Sequence, residues 1–116
     1  MAEGWIKLAD CIDEAIYIGT IFRFPAREPY ETIVDYMLMW DESEIGPQLK
    51  FVVTTGYKAG LVNILSRFPE EARIPDSGAI SAEWLFENWL EWVYPDTDPS
   101  QIYVLENYPA PESLPG

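Results

Sequence analysis

Apolar and polar positions alternate over 49–55, with Leu49, Phe51 and Val53 on one side and Lys50, Val52 and Thr54 on the other. Successive side chains of a strand point to opposite faces, so this stretch reads as a strand with one buried face. Gly56-Tyr57-Lys58-Ala59-Gly60 then leads into a second apolar run over 61–65. Two strand-like runs joined by a short glycine-bounded loop predict a β-hairpin. Upstream, 15–23 is β-branched and aromatic, with Ile16, Tyr17, Ile18, Ile21 and Phe22, and is interrupted by Gly19. Pro25 and Pro29 follow, and they argue against a regular helix or a central strand between them. The run 33–40 is apolar except for Asp35 and is either a central strand or a short helix. Its Ile33, Val34, Tyr36 and Trp40 favour strand, while Met37, Leu38 and Met39 suit both. Asp41-Glu42-Ser43-Glu44-Ile45-Gly46-Pro47 reads as a polar, acidic loop, 69–78 as a second loop, and 101–106 as a last strand.

The pattern changes to a helical period over 82–93. Ser81 is placed as the N-cap, Glu83 lies in the first turn where the helix dipole favours an acid, and Tyr94-Pro95 ends the helix. Projected at 3.6 residues per turn, Leu85, Phe86, Trp89, Leu90, Trp92 and Val93 gather on one broad arc. Glu83, Glu87, Asn88 and Glu91 occupy the opposite arc, and Trp84 falls among them. The predicted class is α+β: a mainly antiparallel β-sheet packed by one amphipathic helix in the C-terminal half. A chain of 116 residues suits a single domain, 1–116, in which the proline-rich tail 109–116 is expected to fray.

Charge changes this picture more than composition does. Apolar residues make up 48% of the chain, enough for a core without a metal or disulfide staple. Twenty acids face seven bases, for a net charge of −13. All seven Lys and Arg lie in 1–73, and 74–116 holds eight acids and no base. Such a surface repels the phosphate backbone and anionic lipid, so neither nucleic acid nor membrane is an expected partner. It attracts a basic protein. The plainer account is that the charge keeps the protein soluble. Cys11 is the single cysteine, which fits a reducing compartment. The N-terminus lacks the basic start and apolar run of a signal peptide, and no stretch is long enough to span a bilayer. The expected location is the cytoplasm.

Catalytic chemistry finds little support. The chain has no histidine, which removes Ser-His-Asp and Cys-His catalysis and imidazole-based zinc sites. Asp10, Asp13 and Glu14 flank Cys11 and disfavour its thiolate. Asp96-Thr97-Asp98-Pro99-Ser100 begins like an EF-hand loop, but Gln101 and Asn107 stand where glycine and glutamate are needed, so it reads as a helix-exit loop. Gly56 and Gly60 match no phosphate-binding motif, and Arg23, Arg27 and Lys58 are expected to pair with acids. No catalytic residue, metal ligand or cofactor is assigned. Two recognition candidates stand out. One is Trp84 framed by Glu83, Glu87 and Glu91, because tryptophan contributes disproportionately to interfaces. Its competing account is that a flanking loop covers Trp84 and the acids are a solvated face. The other is Trp40 running into Asp41, Glu42 and Glu44, where a strand end followed by a polar turn is the simpler account.

Several stretches together resemble the immunity protein 45 family of bacterial polymorphic-toxin systems. They are Ile21-Phe22-Arg23-Phe24-Pro25-Ala26, Pro29-Tyr30-Glu31, Thr55-Gly56-Tyr57-Lys58-Ala59-Gly60-Leu61, and the helical Trp84-Leu85, Asn88-Trp89 and Trp92-Val93-Tyr94-Pro95. The resemblance implies a small cytoplasmic antitoxin, encoded beside a secreted toxin, that protects the producing cell by binding the cognate toxin domain. It implies no catalytic residues and carries over no interface residues. The charge adds an expected mechanism, in which an acidic, aromatic-containing surface occludes a basic active-site cleft. An adaptor that loads an effector onto its secretion machinery is the rival among binding proteins, and it would give no protection in co-expression. A carboxylate-dependent hydrolase is the rival among enzymes, and it predicts turnover that single Asp or Glu amidations abolish.

Overall fold

The computed structural model describes residues 4–28, 30–43, 46–63, 68–75 and 77–115. Its strands are β1 (Ile6–Lys7), β2 (Ala15–Ile16), β3 (Ile21–Pro25), β4 (Ile33–Ser43), β5 (Gly46–Val53), β6 (Val62–Asn63), β7 (Arg73–Ile74), β8 (Ala79–Ser81) and β9 (Tyr103–Leu105). The helix α1 spans Ala82–Trp92. One sheet has six strands in the order β1-β9-β3-β4-β5-β6, and the other has three in the order β2-β8-β7. Every pairing is antiparallel. The class is therefore α+β, as the hydrophobic pattern predicts.

The apolar run 15–23 is divided between the two sheets at Gly19, whose φ of +90° suits a residue without Cβ. The run 33–40 is strand throughout. The expected acidic loop over 41–47 is instead mostly strand: Asp41 pairs with Gln48, Glu42 with Pro47 and Ser43 with Gly46. An antiparallel ladder is built from backbone groups, so a polar sequence does not oppose it. Residues 44–45, including Glu44, lie outside the described residues. β3 also continues to Pro25, paired with Ile33, although β9 flanks it only from Ile21 to Arg23. Pro25 thus occupies an edge position, where a missing N–H is tolerated. The Thr97 hydroxyl donates to its carbonyl. The expected loop 69–78 contains a 3₁₀ turn at Glu70–Ala72 and the short strand β7. In the predicted hairpin, β5 pairs with β6, and 64–65 lie outside the described residues.

The core lies between α1 and one face of the larger sheet. Phe22 and Phe24 of β3, Val34, Tyr36 and Leu38 of β4, and Leu49, Phe51 and Val53 of β5 are buried, as their period-two spacing requires. Trp89 of α1 is fully buried, its ring 5.7 Å from Phe22, 5.3 Å from Phe24 and 5.9 Å from Phe51. Its indole N–H has no hydrogen-bond acceptor among the described residues. Residues 109–115 are exposed and form no helix or strand. No helix among the described residues is long and apolar enough to cross a membrane.

Candidate protein-binding surface

Ser81 starts α1 as predicted, its hydroxyl accepting from the Trp84 N–H at 3.1 Å. Ala82, Leu85 and Trp89 turn to the core, and Glu83, Glu87 and Glu91 are exposed on the outward side. Leu90 departs from its expected place. It is 48% exposed and shares the outward side with the glutamates, because the buried arc centres on Leu85, Trp89 and Val93 and is narrower than the apolar sequence. Trp84 lies on the flank of the acidic side and is half-buried. Its ring stands 5.8 Å from Phe68 and 5.6 Å from Trp92. Phe68, which lies between the predicted strand 61–65 and the predicted loop 69–78, packs against Trp84 and partly covers it. The helix contributes no Lys or Arg, so nothing on α1 itself offsets the field of its three carboxylates.

Trp40 is 39% exposed on β4, opposite Leu49 of β5. Past Met37, β4 is paired with β5 and with no other strand among the described residues, so Trp40, Asp41 and Glu42 ride on a two-stranded arm. This group and the α1 group sit on different elements.

A third arrangement escaped the pattern of the sequence. On the sheet face away from α1, Arg23 and Asp35 are cross-strand partners joined by two bonds, Nε to Oδ1 at 2.8 Å and Nη2 to Oδ2 at 2.9 Å. Asp35 is 1% exposed, and the Arg23 side chain is 43% exposed. The Tyr108 hydroxyl donates to Asp35 Oδ2 at 3.0 Å and lies 2.6 Å from the Thr54 hydroxyl. The Arg23 guanidinium stacks over Trp5 at 4.3 Å, which ties both ends of the chain to this face. Asp35 was visible as the one acid in an apolar run; Tyr108 carried no signal. Arg27 approaches Asp96 only at 3.9 Å, and Lys58 lies 6.0 Å from the Tyr30 ring.

The stretches that carry the family resemblance meet in space. Glu31 Oε1 accepts from the Tyr57 N–H at 3.2 Å, and a Cβ on Gly56, which has φ +67°, would collide with the Glu31 carboxylate. The Arg27 N–H donates to the Tyr94 hydroxyl at 3.1 Å, and the Tyr36 hydroxyl to that of Tyr30 at 3.2 Å. Burial, then Glu14 and Asp10, hold the Cys11 thiol above the ordinary range, so its thiolate is disfavoured as its neighbours in sequence imply. Among the described residues no group of three or more His, Cys, Asp or Glu is placed to hold a metal ion.

Immunity proteins are non-enzymatic inhibitors that neutralise a toxin. The family model of immunity protein 45 matches residues 8–104, and the chain belongs to that family. Neither curated proteins nor solved structures gave a match.

Proposed function

We propose that this chain neutralises its cognate toxin by direct occlusion, acting as a single domain in the cytoplasm of the producing cell. The outward side of α1 meets a basic surface around the toxin's active site, with Trp84 as an aromatic contact at its edge. The observation that carries this reading is the row Glu83, Glu87 and Glu91, exposed on a helix without a single base. A field of one sign steers a partner of the other sign and excludes like-charged competitors. Trp40, Asp41, Glu42 and Glu44 supply a second acidic and aromatic patch to the same partner.

The test replaces Glu83, Glu87 and Glu91 together by lysine and measures association with the toxin domain encoded beside this gene, across a salt series. Association is expected to slow by roughly tenfold or more, and its dependence on salt to flatten. Survival of cells co-expressing the toxin is expected to fall in parallel. Trp84→Phe accompanies it instead of alanine, because alanine would also remove packing against Phe68 and Trp92. Unchanged association and survival in the triple variant would show that this surface is not the contact.

A further inference from the structure

β1 and β2 are end strands of their two sheets, so each presents one backbone edge with no neighbouring strand among the described residues. A cleft of about 650 Å³ is lined by residues of both. Three large apolar side chains meet in it: Ile6 at 47% exposure and Tyr17 and Ile18 at 55% each. Single exposed apolar residues are ordinary; three gathered in one concavity mark a contact surface. Tyr17 and Ile18 are also held in place. The Thr20 N–H donates to the Tyr17 carbonyl at 3.3 Å, and Gly19, at φ +90°, donates to Leu38 O at 2.8 Å. This is the pattern of a type II turn, with glycine at the third position. A backbone fixed in this way loses little entropy when a partner arrives.

The chemistry of the cleft selects the partner. Glu14 and Glu106 share its walls, and no Lys or Arg is among its described lining residues. Lys7, next along β1, instead lies 6.0 Å from the Tyr103 ring. A second copy of this chain, with net charge −13, would be repelled. We infer that this cleft takes an extended segment of the toxin, with alternating apolar and basic side chains. That segment pairs its backbone with β1 or β2, seats its apolar groups against Ile6, Tyr17 and Ile18, and turns its basic groups to Glu14 and Glu106. Edge pairing of this kind supplies affinity from main-chain hydrogen bonds and specificity from alternate side chains. The inference rests on the toxin-binding reading but not on the α1 surface.

The test uses the full chain and the toxin domain encoded beside its gene, inactivated by mutation. Hydrogen exchange of the complex is expected to show protection of amides at 5–7 and 15–18. Ile18→Asp is expected to weaken binding by roughly 30-fold or more, as a contact residue at an interface centre does. The pair Glu14→Lys and Glu106→Lys is expected to weaken it independently, with near-ultraviolet circular dichroism unchanged in both variants. Protection confined to α1, with both variants binding as the wild type does, would overturn the cleft while leaving toxin binding intact. A wild-type chain that fails to bind that domain would overturn both readings. A free protein that sediments as a dimer, and as a monomer after Ile18→Asp, would assign the cleft to a second copy and overturn the inference.

Discussion

Tyr36 of β4 turns toward α1 and is 1% exposed among aromatic rings; Asp35, one residue earlier, turns to the other face and is also 1% exposed, in a charge pair. These two adjacent positions, on opposite faces of one strand, are thus equally dry and held by different physics. Under α1 the stabilising term is apolar area, which is non-directional and tolerates exchange at constant volume. On the opposite face it is a bidentate Arg–carboxylate bond closed by a phenol, where geometry decides and a missing member leaves a charge stranded. A protein with so little positive charge has placed one of its seven bases inside that pair. The arrangement consumes a cation in the scaffold and leaves the helix side uniformly acidic.

The largest effect is expected where the aromatic face is broken. Trp89→Ala should cost about 3–5 kcal/mol in urea unfolding, since no neighbour is free to fill the space. Trp89→Phe should cost much less, because the indole N–H it removes has no acceptor among the described residues. Equal losses in the two variants would mean that the N–H is paired after all. On the other face, Arg23→Met should cost about 2 kcal/mol, below the usual figure for a broken buried pair because Arg23 is 43% exposed. Asp35→Asn should cost less than Arg23→Met, since the arginine it releases already reaches water whereas Asp35 does not. The opposite order would break the comparison between the faces.

These two faces were unequally legible in the sequence. The aromatic face follows from alternation on β5 and from the helical period of α1, because burial of one side of a regular element is a local pattern. Gly19 as an interruption was legible for the same reason. The polar face was not, because pairing Arg23 with Asp35 requires the register of β3 on β4, and bringing in Tyr108 requires the path of the chain after β9. Both are tertiary facts. The acidic segment 41–47 reads as a loop from its polarity, but the β4–β5 ladder is made by backbone groups and does not depend on that polarity. For the proposed surfaces, the glutamates of α1 could be read from a helical wheel. The half-burial of Trp84 could not, since it depends on Phe68, sixteen residues earlier. The cleft beside β1 and β2 joins two sheets and left no sequence signature.

A smaller effect sharpens the polar face. Tyr108→Phe removes one hydrogen bond to Asp35 and should cost about 1 kcal/mol at neutral pH. Burial holds the Tyr108 hydroxyl above the ordinary tyrosine range; the Thr54 bond opposes this and the Asp35 charge adds to it. Burial, then the hydrogen bond with Tyr30, raises Tyr36 as well. The unfolded chain therefore loses these protons first, near pH 10, while the folded chain keeps them. Stability should be full below that range and decline as pH rises through it. The decline should be shallower in Tyr108→Phe, and an identical slope would place the alkaline sensitivity elsewhere, with Tyr36 the first candidate.

The smallest effect on stability bears most directly on function. Glu91 lies in the last turn of α1, at the negative end of the helix dipole, and no base stands in that turn. It also follows Glu87 by four residues, as Glu87 follows Glu83, and like charges at that spacing repel. Helix energetics alone would select lysine at this position. Glu91→Lys is therefore expected to raise stability by about 0.3 kcal/mol or slightly more. In the same protein, association with the toxin should slow. Were the carboxylates present only for solubility, the substitution would improve the fold and leave association unchanged. A residue whose replacement strengthens the helix and weakens the complex is one that the folded state alone does not explain.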